Sequence, residues 1–126
     1  MSRYGPRIAA LERRAERERA AFDGGDATDA AGRAITPESS LRDGAGRAIG
    51  LYVEARAGGR QVPLSEPELA ALRRAMNDWL ECYARCHGVA LEAEFPVRKA
   101  AALLLRTGNV DDVGQLLTGV PPRERR

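Results

Sequence analysis

Hydrophobic positions along this chain recur mostly at intervals of three and four, the rhythm of helices buried along one side. From Gly5 to Phe22 the apolar side is Tyr4, Ile8, Leu11, Ala15 and Phe22. The other side carries Arg13, Arg14, Glu16, Arg17, Glu18 and Arg19, where Arg14 with Glu18 and Glu16 with Arg19 are spaced for ion pairing on a solvated face. Gly24 and Gly25 end this amphipathic segment. Residues 23–35 are small, polar and glycine-bearing, too poor in apolar surface to order themselves, and read as a flexible linker.

Beyond the linker, Thr36-Pro37-Glu38 is a helix start signal, a hydroxyl cap followed by proline in the first turn. The stretch 41–57 fits two periodicities. A helix aligns Leu41, Ala45, Ala48, Ile49, Tyr52 and Val53 but contains Gly44, Gly46 and Gly50, at about 1 kcal/mol each. A hairpin uses Ile49, Leu51, Val53 and Ala55, a Gly58-Gly59 turn and a return through Val62 and Leu64. A lone two-stranded ribbon is marginal and Pro63 confines its return strand to an edge, so the helix is preferred, with Gly58 as its cap.

Ser65-Glu66-Pro67-Glu68 combines a serine cap, a glutamate three residues on and a proline in the first turn. A long helix follows, with Leu69, Leu72, Met76, Trp79, Leu80, Tyr83 and Cys86 at helical spacing and a stop at Gly88. After a connection through Val89 and Leu91, a helix over 96–106 is apolar on every side from Ala100 to Leu105, the mark of central burial. Thr107-Gly108-Asn109 turns the chain into a last short helix with Val113, Leu116 and Leu117, ended by Gly119. The expected inward set is Leu69, Leu72, Met76, Trp79, Leu80, Tyr83, Val97, Ala101, Leu104, Leu105, Val113, Leu116 and Leu117.

These elements define an all-α fold, a small helical bundle with an N-terminal amphipathic arm. The expected organisation is arm 1–22, linker 23–35, helical domain 36–120 and charged tail 121–126, without internal repeats. A chain of 126 residues supports one hydrophobic core. Its 22 alanines against six aromatics agree with closely packed helices. Two cysteines are too few for a secreted disulfide framework, and neither a membrane span nor an export signal is present, so the cytoplasm is the expected location.

Chemistry is sparsely marked. Asp78, Cys82 and Cys86 share one side of the long helix, but a single histidine and no third cysteine leave a closed zinc site without its ligands. His87 projects away from Cys86 and cannot readily activate it. The glycine pairs lack the following lysine and hydroxyl of a phosphate loop. Glu92 and Glu94, and Asp111 and Asp112, stand where helix starts favour negative charge. Neither enzyme activity nor a cofactor, metal or small-molecule substrate is expected. Tyr52, Trp79 and Tyr83 fall at core spacing, as packing residues rather than a stacking platform.

The first expectation is therefore a non-enzymatic interaction module, a homo-oligomer or small subunit of a larger assembly, with Ile8, Leu11, Ala15 and Phe22 as interface residues. An apolar stripe on a tethered helix must be buried against its own body or a partner. The alternative rests on charge. The net charge is only +2, yet residues 1–22 and 95–126 each carry +3 while 23–50 and 51–94 each carry −2. Basic ends could contact DNA or RNA through Arg13, Arg14, Arg17, Arg73, Arg74, Arg98, Lys99 and Arg106. A helix-turn-helix over 97–117 is disfavoured, because Asp111 and Asp112 would open its reading helix.

The blocks NDWLECYARC (77–86), LLLRTGNVDDVGQLLTGV (103–120) and LYVEARAGG (51–59) resemble small uncharacterised proteins of halophilic archaea. The resemblance, over about 36–120, implies a helical domain without an assigned activity. This chain is less acidic than such proteins, a charge that would favour a nucleic-acid or ribosome partner.

Overall fold

The computed structural model describes residues 3–25, 27–57 and 64–122. It is a small all-α bundle. Helix α1 spans Gly5–Asp23, α2 Gly46–Ala57, α3 Glu66–Cys86, α4 Val97–Thr107 and α5 Val110–Thr118. The caps expected for α3 and α5 are in place, while Gly58, expected to cap α2, lies outside the described residues. Ser65 and Glu68 form a reciprocal capping box on α3. Asn109 Oδ1 accepts from the backbone N–H of Asp111 at 2.8 Å. Gly88, Gly108 and Gly119 end the other turns with positive φ.

The 41–57 segment is helical, but it does not begin as an α-helix. Ser39–Ala45 forms a π-helical turn that runs directly into α2. The N–H of Gly46 reaches the carbonyl of Leu41, five residues back. Thr36 and Ser39 exchange side-chain-to-backbone hydrogen bonds at its start, at 3.0 and 2.9 Å. Gly58, Gly59 and Val62, the turn of the hairpin alternative, lie outside the described residues.

The glycines that made this helix ambiguous explain how tightly it packs. A Cβ on Gly44 would lie 2.5 Å from Trp79 Cγ, and one on Gly114 would lie 2.7 Å from Leu41 Cδ1. Backbone thus stands where side chains would otherwise separate the π-helical turn from α3 and α5. Trp79, Leu41, Ile49, Leu72, Met76, Leu80 and Val113 form the fully buried centre.

The N-terminal arm belongs to this core. Ile8 and Ala15 are buried and Leu11 packs against the same cluster. The ion pairs Glu12 with Arg74, Arg19 with Glu81 and Asp23 with Arg85 advance together along both helices, so α1 runs parallel to α3. Arg19 is bound to Glu81 and Asp23, not to Glu16 as its spacing suggested. Residues 27–35 form a hydrogen-bonded turn in place of the structureless linker expected. Asp29 Oδ1 accepts from the N–H groups of Ala31 and Arg33, both at 2.9 Å, and Ile35 is buried. Local side-chain acceptors do here what composition alone does not reveal.

Helix α4 also departs from expectation. Val97, Ala100 and Ala101 are buried, whereas Leu105 is 74% exposed. Leu116 and Leu69 are 43% and 37% exposed, against their expected inward placing. Six consecutive apolar residues, 100–105, carry no phase, so the pattern could not tell which side of α4 faces water. The segment before α4 is pinned to α3: Asn77 Nδ2 donates to the carbonyl of Phe95 at 3.0 Å, Asn77 Oδ1 accepts from its N–H at 2.9 Å, and Glu81 accepts from the N–H of Ala93. At the C-terminal end Tyr83 donates to the carbonyl of Val120, and Gln115 to that of Pro121. The charged tail beyond Pro122 lies outside the described residues.

Candidate functional site

The 3–4 rhythm of the α1 stripe, 8, 11, 15, 22, passes through position 18, and the residue there is a glutamate. Glu18 is buried at the α1–α3 contact. Its Oε1 accepts from Trp79 Nε1 and its Oε2 from Arg14 Nε, each at 3.0 Å. A carboxylate removed from water needs such partners to offset its lost hydration. The Arg14 guanidinium lies over the Trp79 ring, 4.6 Å from its centroid, and also donates through Nη2 to the carbonyl of Asp43. Arg14 and Glu18, expected as a solvated pair, are instead the centre of a tertiary network. The spacing of four foretold the pair itself, and the interruption of an apolar stripe by one charge was the trace of its burial.

This network borders a cleft of about 440 Å³ between α1, the 29–35 turn and the π-helical turn. Arg14 and Arg17 come from α1, Arg33 from the turn and Arg47 from α2. Ala30, Ala31, Ala34 and Ile35 supply an apolar wall. Arg33 is engaged by Asp29, whose carboxyl is held below its usual value first by the N–H of Arg33 and then by that of Ala31. Arg17 and Arg47 are exposed and make no ion pair among the described residues. Arg14 and Arg47 also edge a second groove, along α1 and α2, with Arg7, Leu11, Gly50, Leu51 and Glu54.

The eight basic residues considered for nucleic acid do not form one array. Arg14 is held as described, and Arg74 is bound to Glu12 at 2.9 Å. Arg13, Arg17 and Arg73 are exposed on α1 and α3, while Arg98, Lys99 and Arg106 stand on α4, which packs chiefly on α5 and α2. Asp111, at the start of α5, is bound to Arg42 at 2.7 Å. Of the four residues considered for a protein interface, Ile8 and Ala15 are buried in the core, Leu11 is half-buried against it, and Phe22 is half-buried near the end of α1. Sequence reasoning missed Arg33, Arg47 and Glu18, because the cleft is assembled from separate parts of the chain.

The cysteine side of α3 has no reactive character. Burial pushes the Cys82 thiol up to about 12, and raises that of Cys86. Such a thiol stays protonated at neutral pH and packs as a small apolar group. Ser40 Oγ is buried, and the nearby Cys86 thiol is the group that interacts with it among the described residues. No helix among the described residues is long and apolar enough to cross a membrane.

A helical bundle of this kind, with a charged cleft beside a buried carboxylate network, defines a class by architecture and not by chemistry. The chain matches the Domain of unknown function family (DUF8055) over residues 2–122 and belongs to it. The match takes in the arm and the 23–35 segment as well as the body. No curated protein and no solved structure matches the chain.

Proposed function

We propose that the protein is a non-enzymatic helical interaction module, working in the cytoplasm as a homo-oligomer or a small subunit of a larger assembly through its α4–α5 hairpin. The observation that carries this reading is Leu105, a large apolar side chain left 74% exposed. Arg98, Ala102 and Leu105 follow one side of α4 at intervals of four and three, and Leu116 adds a second exposed leucine on α5. An apolar strip beside a guanidinium is the composition of a docking surface, with an aliphatic anchor and a charged edge. Of the stripe Ile8, Leu11, Ala15 and Phe22, Ile8 and Ala15 are buried in the chain's own core and Leu11 packs against it, so the interface is assigned to the hairpin. Two cysteines that are not joined to each other favour a reducing compartment.

The test is Leu105→Glu, alone and with Leu116→Glu, followed by light scattering at high concentration and by crosslinking in cells. Both substitutions leave the melting transition in place and abolish association. A chain that is monomeric throughout, with cellular crosslinks unchanged by the substitutions, would overturn the reading.

A further inference from the structure

We propose that the cleft between α1, the 29–35 turn and the π-helical turn binds a small organic phosphate, with the phosphate on Arg14, Arg17 and Arg47 and the organic part against Ala31, Ala34 and Ile35. Arg14 is built for this role. Its Nε is committed to Glu18, one Nη2 hydrogen to the carbonyl of Asp43, and one face of its guanidinium to Trp79. Its other three N–H groups, one on Nη2 and two on Nη1, have no partner among the described residues. A guanidinium already fixed in orientation loses little further freedom on taking a bidentate oxyanion.

Arg17 and Arg47 bring two more cations that no described carboxylate neutralises. Opposing them is Asp43, whose carboxylate also lines the cleft and makes no ion pair among the described residues. Asp29 and Glu18 are already matched to Arg33 and Arg14. The unmatched groups therefore leave an excess of positive charge on the cleft, beside a wall of alanine and isoleucine. A volume of about 440 Å³ lies in the usual range for small-molecule sites, which pair apolar walls with a few directed polar groups. It selects a compact ligand with one anionic end. A π-helical turn on the rim, Ser39 and Asp43 included, is a further mark of a site, since this geometry is frequent where ligands bind.

Trp79, the one tryptophan of the chain, lies beneath Arg14, so its emission reports on the site directly. The purified chain is titrated with phenyl phosphate, inorganic phosphate, benzoate, phenol and sodium chloride at matched ionic strength, and heats are measured in parallel. Phenyl phosphate gives a saturable change in emission and binds tighter than inorganic phosphate. Arg17→Ala and Arg47→Ala each weaken it about tenfold, the loss of one charge-assisted hydrogen bond. Asp43→Asn strengthens it, and Lys99→Ala leaves it unchanged. Melting curves confirm that these exposed substitutions fold. The proposal is overturned if phenyl phosphate gives no saturable response, if benzoate binds as tightly, if phenol or sodium chloride reproduces the effect, or if Arg17→Ala and Arg47→Ala bind as wild type. Because α4 takes no part, failure here leaves the hairpin interface untouched, and the converse holds for Leu105→Glu.

Discussion

At Gly44 a single hydrogen decides how close two elements can come. The π-helical turn approaches the Trp79 ring so closely that any Cβ at 44 would overlap it. Gly44→Ala should therefore destabilise the fold by about 1–3 kcal/mol, the usual penalty for overfilling a packed core. Gly50 is the internal control: it lies within α2 with open space where its Cβ would be. Gly50→Ala should stabilise by about 0.5–1 kcal/mol, because only the helix propensity changes. Urea unfolding of the two variants beside wild type measures the opposite signs. Asp78 supplies a pH signature. Burial, then the nearby Glu81, raises its carboxyl to about 6 from its ordinary 3.8, with Glu16 adding and Arg19 and Arg74 opposing. Between those values the folded state holds more proton than the unfolded one, so this contribution to stability is largest below 3.8 and is lost as pH rises through about 6. Asp78→Asn should be more stable than wild type at neutral pH by about 1 kcal/mol, after discounting for partial solvent screening, and the difference should close as pH falls below 3.8. Thermal melts across that pH window read it out.

Among the elements, α3 organises its neighbours through polar side chains as much as through its apolar side. Asn77 copies the pairing of a strand by giving the backbone of Phe95 both a donor and an acceptor. Asn77→Ala should cost about 2 kcal/mol, with two backbone groups left unmatched in a partly buried place. Hydrogen exchange at the Phe95 amide should accelerate more than the change in global stability accounts for. The element boundaries were largely legible, because Ser65 with Glu68, Asn109, Gly88 and Gly119 each supply the local chemistry that starts or ends a helix. Three features were not. The π-helical turn depends on Gly44 meeting Trp79, a tertiary fact. The 27–35 turn depends on one Asp29 carboxylate replacing several backbone partners. The exposure of Leu105 was hidden within an unbroken apolar run. Of the cleft, Arg14 and Arg17 were visible as cations, but neither the orientation of Arg14 nor its company with Arg33 and Arg47 could be read from spacing.

For the molecule as a whole, α1 is part of the body and not a separable arm. Trp79 is buried with Glu18 and Arg14 as its polar company, and Ile8 and Ala15 belong to the same core as Leu72 and Met76. A chain beginning at residue 27 should lose its cooperative melt, shift its tryptophan emission to the red and give up most of its helical circular dichroism. Retention of a cooperative transition would mean that 36–120 folds without α1. The close approach of Gly44 to Trp79 has an evolutionary counterpart. A methyl at position 44 becomes tolerable only when the indole gives way to something smaller, so neither site should drift alone. Among members of this family, alanine or larger at 44 should accompany leucine or a similar short residue at 79, and Gly44→Ala should regain much of its lost stability on a Trp79→Leu background.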